Sequence, residues 1–131
     1  MKYEQTIRIT NPKKGFSTDG TWAQYTKKNS LLFISGQVSL NNKGEIVGKG
    51  DFEIQAKQTL DNLMSMLEEG GGKPEDLMLI NVYITNMKYR PIFAKIREAY
   101  FRKNPPASTI VEVNRLFMDD LLIEINGIAI L

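Results

Sequence analysis

Apolar and polar residues alternate along TIRIT, residues 6–10, and this period of two predicts a first short strand. Asn11-Pro12 ends it, and KKGFSTDG is a run of turn formers. TWAQYTKKN predicts a weak strand with Trp22 near its start, and LLFISGQVSL (31–40) a stronger one. The continuous apolar start of the stronger strand predicts burial on both faces. Gly36 falls inside it, where glycine marks a bulge or a close backbone approach.

The period then changes. In DFEIQAKQTLDNLMSMLEEG, Ala56, Leu60, Leu63, Met64 and Leu67 recur at helical spacing. Asp51 is placed to cap the helix start, and Gly70 to end it in a left-handed cap. Met64 and Met66 need be no more than core filler or exposed side chains. The GGG run at 70–72 follows a helix and does not open one, so it predicts a helix stop and not a phosphate cradle. GGGKPEDL predicts a turn with one helical turn at Pro74, and LMLINVYITN (77–86) a strand. Pro91 fits the first turn of a second helix whose apolar stripe is Ile92, Phe93, Ile96, Ala99 and Tyr100. Asn104-Pro105-Pro106 ends that connection. Two strands follow, STIVEV and LLIEINGIAIL, joined by a loop around FMDD.

The order ββ(β)–α–β–α–β–β predicts one α+β domain over residues 1–131, a mixed sheet with both helices on one face. The other face carries LLFIS, NVYI and IEINGIAI, which are too apolar to leave in water. Self-association, with sheet faces packed around a symmetry axis, is the expected cover.

Composition narrows the chemistry. The 131 residues include no cysteine and no histidine, which removes thiolate nucleophiles, Ser-His-Asp triads and His or Cys metal sites from this chain. No cofactor or metal is expected. Carboxylates, hydroxyls, Lys, Arg, Tyr, backbone amides and water remain. The net charge of +2 is spread along the chain, and short clusters such as Lys13-Lys14 and Lys27-Lys28 fit solvated turns, which argues against a nucleic-acid surface. No apolar run approaches a membrane span, and MKYEQTIRIT lacks the apolar core of a signal peptide; a cytoplasmic protein is expected.

Glu124 is the leading candidate for chemistry. Alternation puts Ile123, Ile125 and Gly127 on one face of the last strand, and Leu122, Glu124 and Asn126 on the other. A carboxylate in so apolar a strand is paired, hydrogen-bonded or raised in pKa, and a raised one can deprotonate water. The plainer reading is a rim glutamate or one paired to a lysine. Glu112 has the same ambiguity and lies on the Ser108 side of STIVEV. Ser108 and Thr109, after the double proline, either bond backbone at a strand start or help hold a ligand carboxylate. Trp22 is either a core ring or a pocket wall.

Taken together, LLFISGQVSLNNKGEIVG, QAKQTLDNL, NVYITNM, PAST-IVEVNRL and IEINGIAI resemble, in order and spacing, the YjgF/RidA family, also called the L-PSP endoribonuclease or translation-inhibitor family. The resemblance covers nearly the whole chain. It implies a chorismate-mutase-like α+β fold and a homotrimer with a cleft at each subunit interface. It also implies hydrolysis of reactive enamines and imines to keto acids, with release of ammonia.

By this resemblance Glu124 matches the glutamate that orients water, and Ser108, Thr109, Trp22, Ser35 and Gly36 fall at substrate-binding positions. The family's signature reads P-A-R-S-x-V-E-V, so Ser108 stands where an arginine grips the substrate carboxylate. Trp22 falls at a usual tyrosine position and Ala94 where a helix asparagine is common. Arg115 matches a different position beyond the strand. The expected function is a deaminase-like cleft with an altered substrate; the alternatives are a non-catalytic metabolite- or partner-binding trimer and, last, the ribonuclease of the family's older label.

Overall fold

The computed structural model describes residues 5–131. Six strands form one sheet: β1 (Ile7–Ile9), β2 (Tyr25–Lys28), β3 (Leu31–Val38), β4 (Leu77–Ile84), β5 (Ala107–Glu112) and β6 (Ile123–Ile130). Helix α1 spans Phe52–Glu69 and α2 spans Arg90–Phe101. The sheet order is β1-β2-β3-β6-β4-β5, with only β4 and β5 parallel. The last strand of the chain is therefore inserted at the centre, between β3 and β4.

Side-chain alternation assigns the faces. Leu32, Ile34, Ile80, Val82, Ile84, Ile123, Ile125 and Ala129 point to the helices and join Ala56, Leu60, Leu63, Leu67, Phe93 and Ile96 in one core. Burying each large side chain there contributes about 1.5–3 kcal/mol before conformational entropy is counted. Both helices lie on this face, as the sequence predicts.

Asp51 caps α1 by accepting from the Ile54 N–H at 3.0 Å. The stop is displaced by one residue from the expected Gly70, whose φ is −73°. Gly71 has φ +96°; its N–H donates to the Glu68 carbonyl and that of Gly72 to the Leu67 carbonyl, the Schellman pattern. Gly70 is small for another reason: a Cβ there would lie 2.8 Å from the Leu32 methyls.

The stripe of α2 is narrower than expected. Phe93, Ile96 and Phe101 are buried, but Ile92 and Ala99 are exposed, because residue 92 is rotated about 100° from residue 93. Tyr100 is half-buried and donates its hydroxyl to Asp61 on α1 at 2.8 Å; burial, then the Asp61 carboxylate, pushes the phenol up to about 12.

The opposite face is bare. Phe33 is 44% exposed and Ile130 48%, with Leu31 and Val111 similarly open. The expected burial of β3 on both faces is thus not met within one chain. Leu31 and Phe33 alternate outward, and no second layer of this chain covers them among the described residues.

Candidate functional site

The middle of β3 breaks its pairing with β6: Ile34 opposes Gly127, but Gln37 opposes Ile125. Ser35 and Gly36 together face the single residue Asn126, one residue in excess, so the bulge expected at Gly36 is present. A Cβ on Gly36 would lie 2.6 Å from Cδ of Glu124. The missing side chain is the space that the Glu124 carboxylate occupies.

Buried glutamines hold this bulge. Gln37 donates its side-chain amide to Oε1 of Gln24 at 2.9 Å and to the Ser35 carbonyl at 3.1 Å. Gln24 donates to the Phe16 carbonyl at 3.0 Å. Ser35 donates its hydroxyl to the Ala23 carbonyl at 2.6 Å, and its N–H donates to the Gln24 carbonyl. Trp22, next to Ala23, is 41% exposed and meets Phe16 edge to face at 6.3 Å. It is not a core ring.

Helix α1 fixes the same end of the sheet. Asn62 donates to the carbonyls of Val38 and Leu40 at 2.8 and 3.0 Å. Gln55, fully buried, accepts the Leu122 N–H at 2.9 Å and donates to the Asp120 carbonyl at 2.9 Å. It sets where β6 begins, two residues before Glu124. Sequence reasoning missed all four of these side chains. Their signal was present: amides at positions where the apolar period demands burial must find partners.

Glu124 itself is on the bare face, half-buried, opposite Tyr83 of β4 and Val38 of β3. Burial alone raises its pKa; no hydrogen bond or ion pair to it is found among the described residues. The lysine-paired alternative is therefore not what is seen among the described residues.

The other candidates lie elsewhere. Ser108 and Thr109 are on β5, at the sheet's edge, opposite Ile80 and Asn81. They face opposite sides: Thr109 shares the bare face with Asn81, and Ser108 the helix face. From the strand spacing, Ser108 and Glu124 are roughly 14 Å apart and point away from each other. One chain does not bring them together. Ser108 instead lines a cavity of about 270 Å³ with Ile80, Arg97, Phe101, Pro106 and, at its far rim, Arg102. Glu112, on the Ser108 side as expected, accepts the Met87 N–H at 2.7 Å and caps the turn before α2. That is structural work. Arg115 does not reach the Ser108 cavity.

A family model described as endoribonuclease L-PSP matches residues 13–131. The chain belongs to this family, the YjgF/RidA family of the sequence reading. A RutC family protein of Pyrococcus horikoshii is 41% identical over 114 residues, which cover 84% of this chain and 86% of that one. The 3-aminoacrylate deaminase RutC of Acinetobacter baylyi is 26% identical, covering 90% of this chain and 98% of its own. The crystal structure of the YjgF gene product of E. coli superposes with a TM-score of 0.83 at 29% identity, over 95% of this chain and 98% of that one. The YjgF/RidA fold expected from the sequence is thus the fold observed, a mixed sheet with two helices on one face. Among the described residues no helix is long and apolar enough to cross a membrane.

Proposed function

We propose that this protein hydrolyses a small imine or enamine in a cleft completed by a second copy of the chain, with Glu124 directing the water. The observation that carries the reading is the Glu124 carboxylate, seated over the Gly36 gap, half-buried and without a partner among the described residues. Desolvation makes it a stronger base than an exposed glutamate. The bare apolar face beside it needs a cover, and self-association into the homotrimer supplies one. The same association brings the β5 edge of one copy toward the Glu124 of another, which a single chain cannot do.

The chemistry asks little else. Glu124 takes a proton from water as the water oxygen bonds to the C=N carbon. That proton passes to nitrogen and gives a carbinolamine; its hydroxyl proton follows to nitrogen through the same carboxylate as the C–N bond breaks, and ammonia leaves behind a carbonyl. Trp22, Ser35 and Gly36 shape the Glu124 side of the cleft, and Thr109, on the bare face of the β5 edge, the other. The deaminase name of the Acinetobacter relative supports this class of reaction.

The test is the decay of freshly generated 2-iminobutanoate with wild type and with Glu124→Ala. Acceleration by wild type that Glu124→Ala abolishes is expected. No acceleration by wild type on this or on neutral imines would overturn the reading and leave a metabolite-binding trimer.

A further inference from the structure

The bare face is not uniform. Strand register sets its outward side chains in rows across β3, β6, β4 and β5. One row is apolar throughout: Phe33, Ile128, Leu79 and Ala107. The next row along β6 is Asn126, Asn81 and Thr109. In the row after that, Tyr83 lies directly across from Glu124. Asn81, Tyr83 and Asn126 are half-buried like Glu124, and Thr109 is exposed at the sheet edge. Opposed and diagonal neighbours of this kind lie within roughly 5–8 Å of one another. Two amides and a phenol thus surround the Glu124 carboxylate on its own face.

These groups donate and accept hydrogen bonds without formal charge. β3 and β4 contain no charged residue, and Glu124 is the one of β6. Glu112, the one of β5, is turned to the other face and accepts the Met87 N–H. The cations that strand alternation puts on the bare face, Arg8 and Lys28, belong to β1 and β2, roughly 20 Å from Glu124 by strand spacing. The wall around Glu124 is therefore neutral and hydrogen-bonding, with one negative charge.

We infer that the substrate carries no carboxylate: the site takes a small neutral imine or enamine, or its iminium cation, held by Asn81, Asn126 and Tyr83 beside Glu124. A ligand carboxylate brought within about 6 Å of Glu124 meets a like charge in a partly desolvated wall, which costs roughly tenfold to a hundredfold in affinity. An asparagine amide donates to an imine nitrogen or accepts from an iminium N–H, so the same side chains serve both forms. This rests on the reading of Glu124 as the reacting carboxylate, but the charge of the preferred ligand is measured without turnover.

The first arm is titration calorimetry on the full chain with three stable probes of similar size: propionamidinium, propanamide and the anion 2-oxobutanoate. Propionamidinium is expected to bind tightest, and 2-oxobutanoate about 10–100-fold more weakly than propanamide. Glu124→Gln is expected to narrow the gap between cation and anion, and Asn81→Leu to weaken propanamide by roughly tenfold. Melting curves on each variant separate loss of fold from loss of binding. The second arm compares freshly generated propan-1-imine with 2-iminobutanoate, the same skeleton plus a carboxylate. A kcat/KM about 10–100-fold higher for the neutral imine is expected, with 2-iminobutanoate the poorer substrate. Tighter binding of 2-oxobutanoate than of propanamide, or faster turnover of 2-iminobutanoate, would overturn the inference and leave the deaminase reading standing. A charge preference that Glu124→Gln leaves intact would also overturn it. The expected order of binding without turnover of either imine would overturn the deaminase reading and keep the ligand class. A chain that binds no probe and turns over neither imine would end both.

Discussion

The two faces of this sheet are built from the same strands and obey different rules. On the helix face each apolar side chain meets another, and Leu32, Ile123 and Ile125 are fully buried. On the bare face Leu31, Phe33, Val111 and Ile130 remain open, and the one carboxylate of β6 lies on the same face without a partner among the described residues. The first face is finished within the chain. The second is left open within the chain, with a carboxylate of raised pKa on it. Stability and chemistry are separated by the two-residue period of the strand.

The sharpest way to test this division is Glu124→Gln. Loss of about 10²–10⁴-fold in imine hydrolysis is expected from removing a general base. Because burial raises the Glu124 pKa, wild-type activity falls as pH drops through a value above the ordinary carboxylate range, and this acid limb vanishes in the variant. The stability sign is opposite to that of a paired carboxylate. A raised folded pKa contributes stability below the unfolded pKa and loses it as pH rises through the folded one. At neutral pH Glu124→Gln therefore melts at or above wild type, read by circular dichroism.

Phe93→Ala attacks the other face. It removes a fully buried ring and the base on which Arg97 rests, and costs about 3–5 kcal/mol by urea denaturation. Phe33→Lys breaks the comparison from the open side. Each copy forfeits the burial of one ring, about 1.5–3 kcal/mol, so association measured by sedimentation weakens roughly tenfold or more while the single chain keeps its fold.

The smallest effect is at Thr59, whose hydroxyl is the buried side-chain polar atom without a partner among the described residues. Thr59→Val removes that unpaired group at constant shape. It is expected to leave the urea midpoint unchanged or raise it, by up to about 1 kcal/mol.

Much of this was legible along the chain. Alternation in IEINGIAI alone placed Glu124 opposite the core, and Gly36 announced a bulge. The stop of α1 was legible to within one residue, since three consecutive glycines do not say which takes positive φ; the Schellman bonds of Gly71 and Gly72 decide that. The stripe of α2 was read too wide, because spacing cannot show that Ile92 and Ala99 turn past the edge of the face that the sheet and α1 cover. The candidate site was read as one list, and the structure divides it. Gly36 and Glu124 meet on the bare face, while Ser108 opens on a cavity on the opposite face.

The sequence by itself determined the elements, the face that each strand residue takes, and a lone carboxylate in an apolar strand. These follow from local periods and from the cost of burying charge, and both are written residue by residue. Only the tertiary structure decided that β6 runs between β3 and β4, that the Gly36 gap holds Glu124, and that Arg97 shares a cavity with Ser108. Such meetings depend on which strands pair across long stretches of chain, and no local period encodes that.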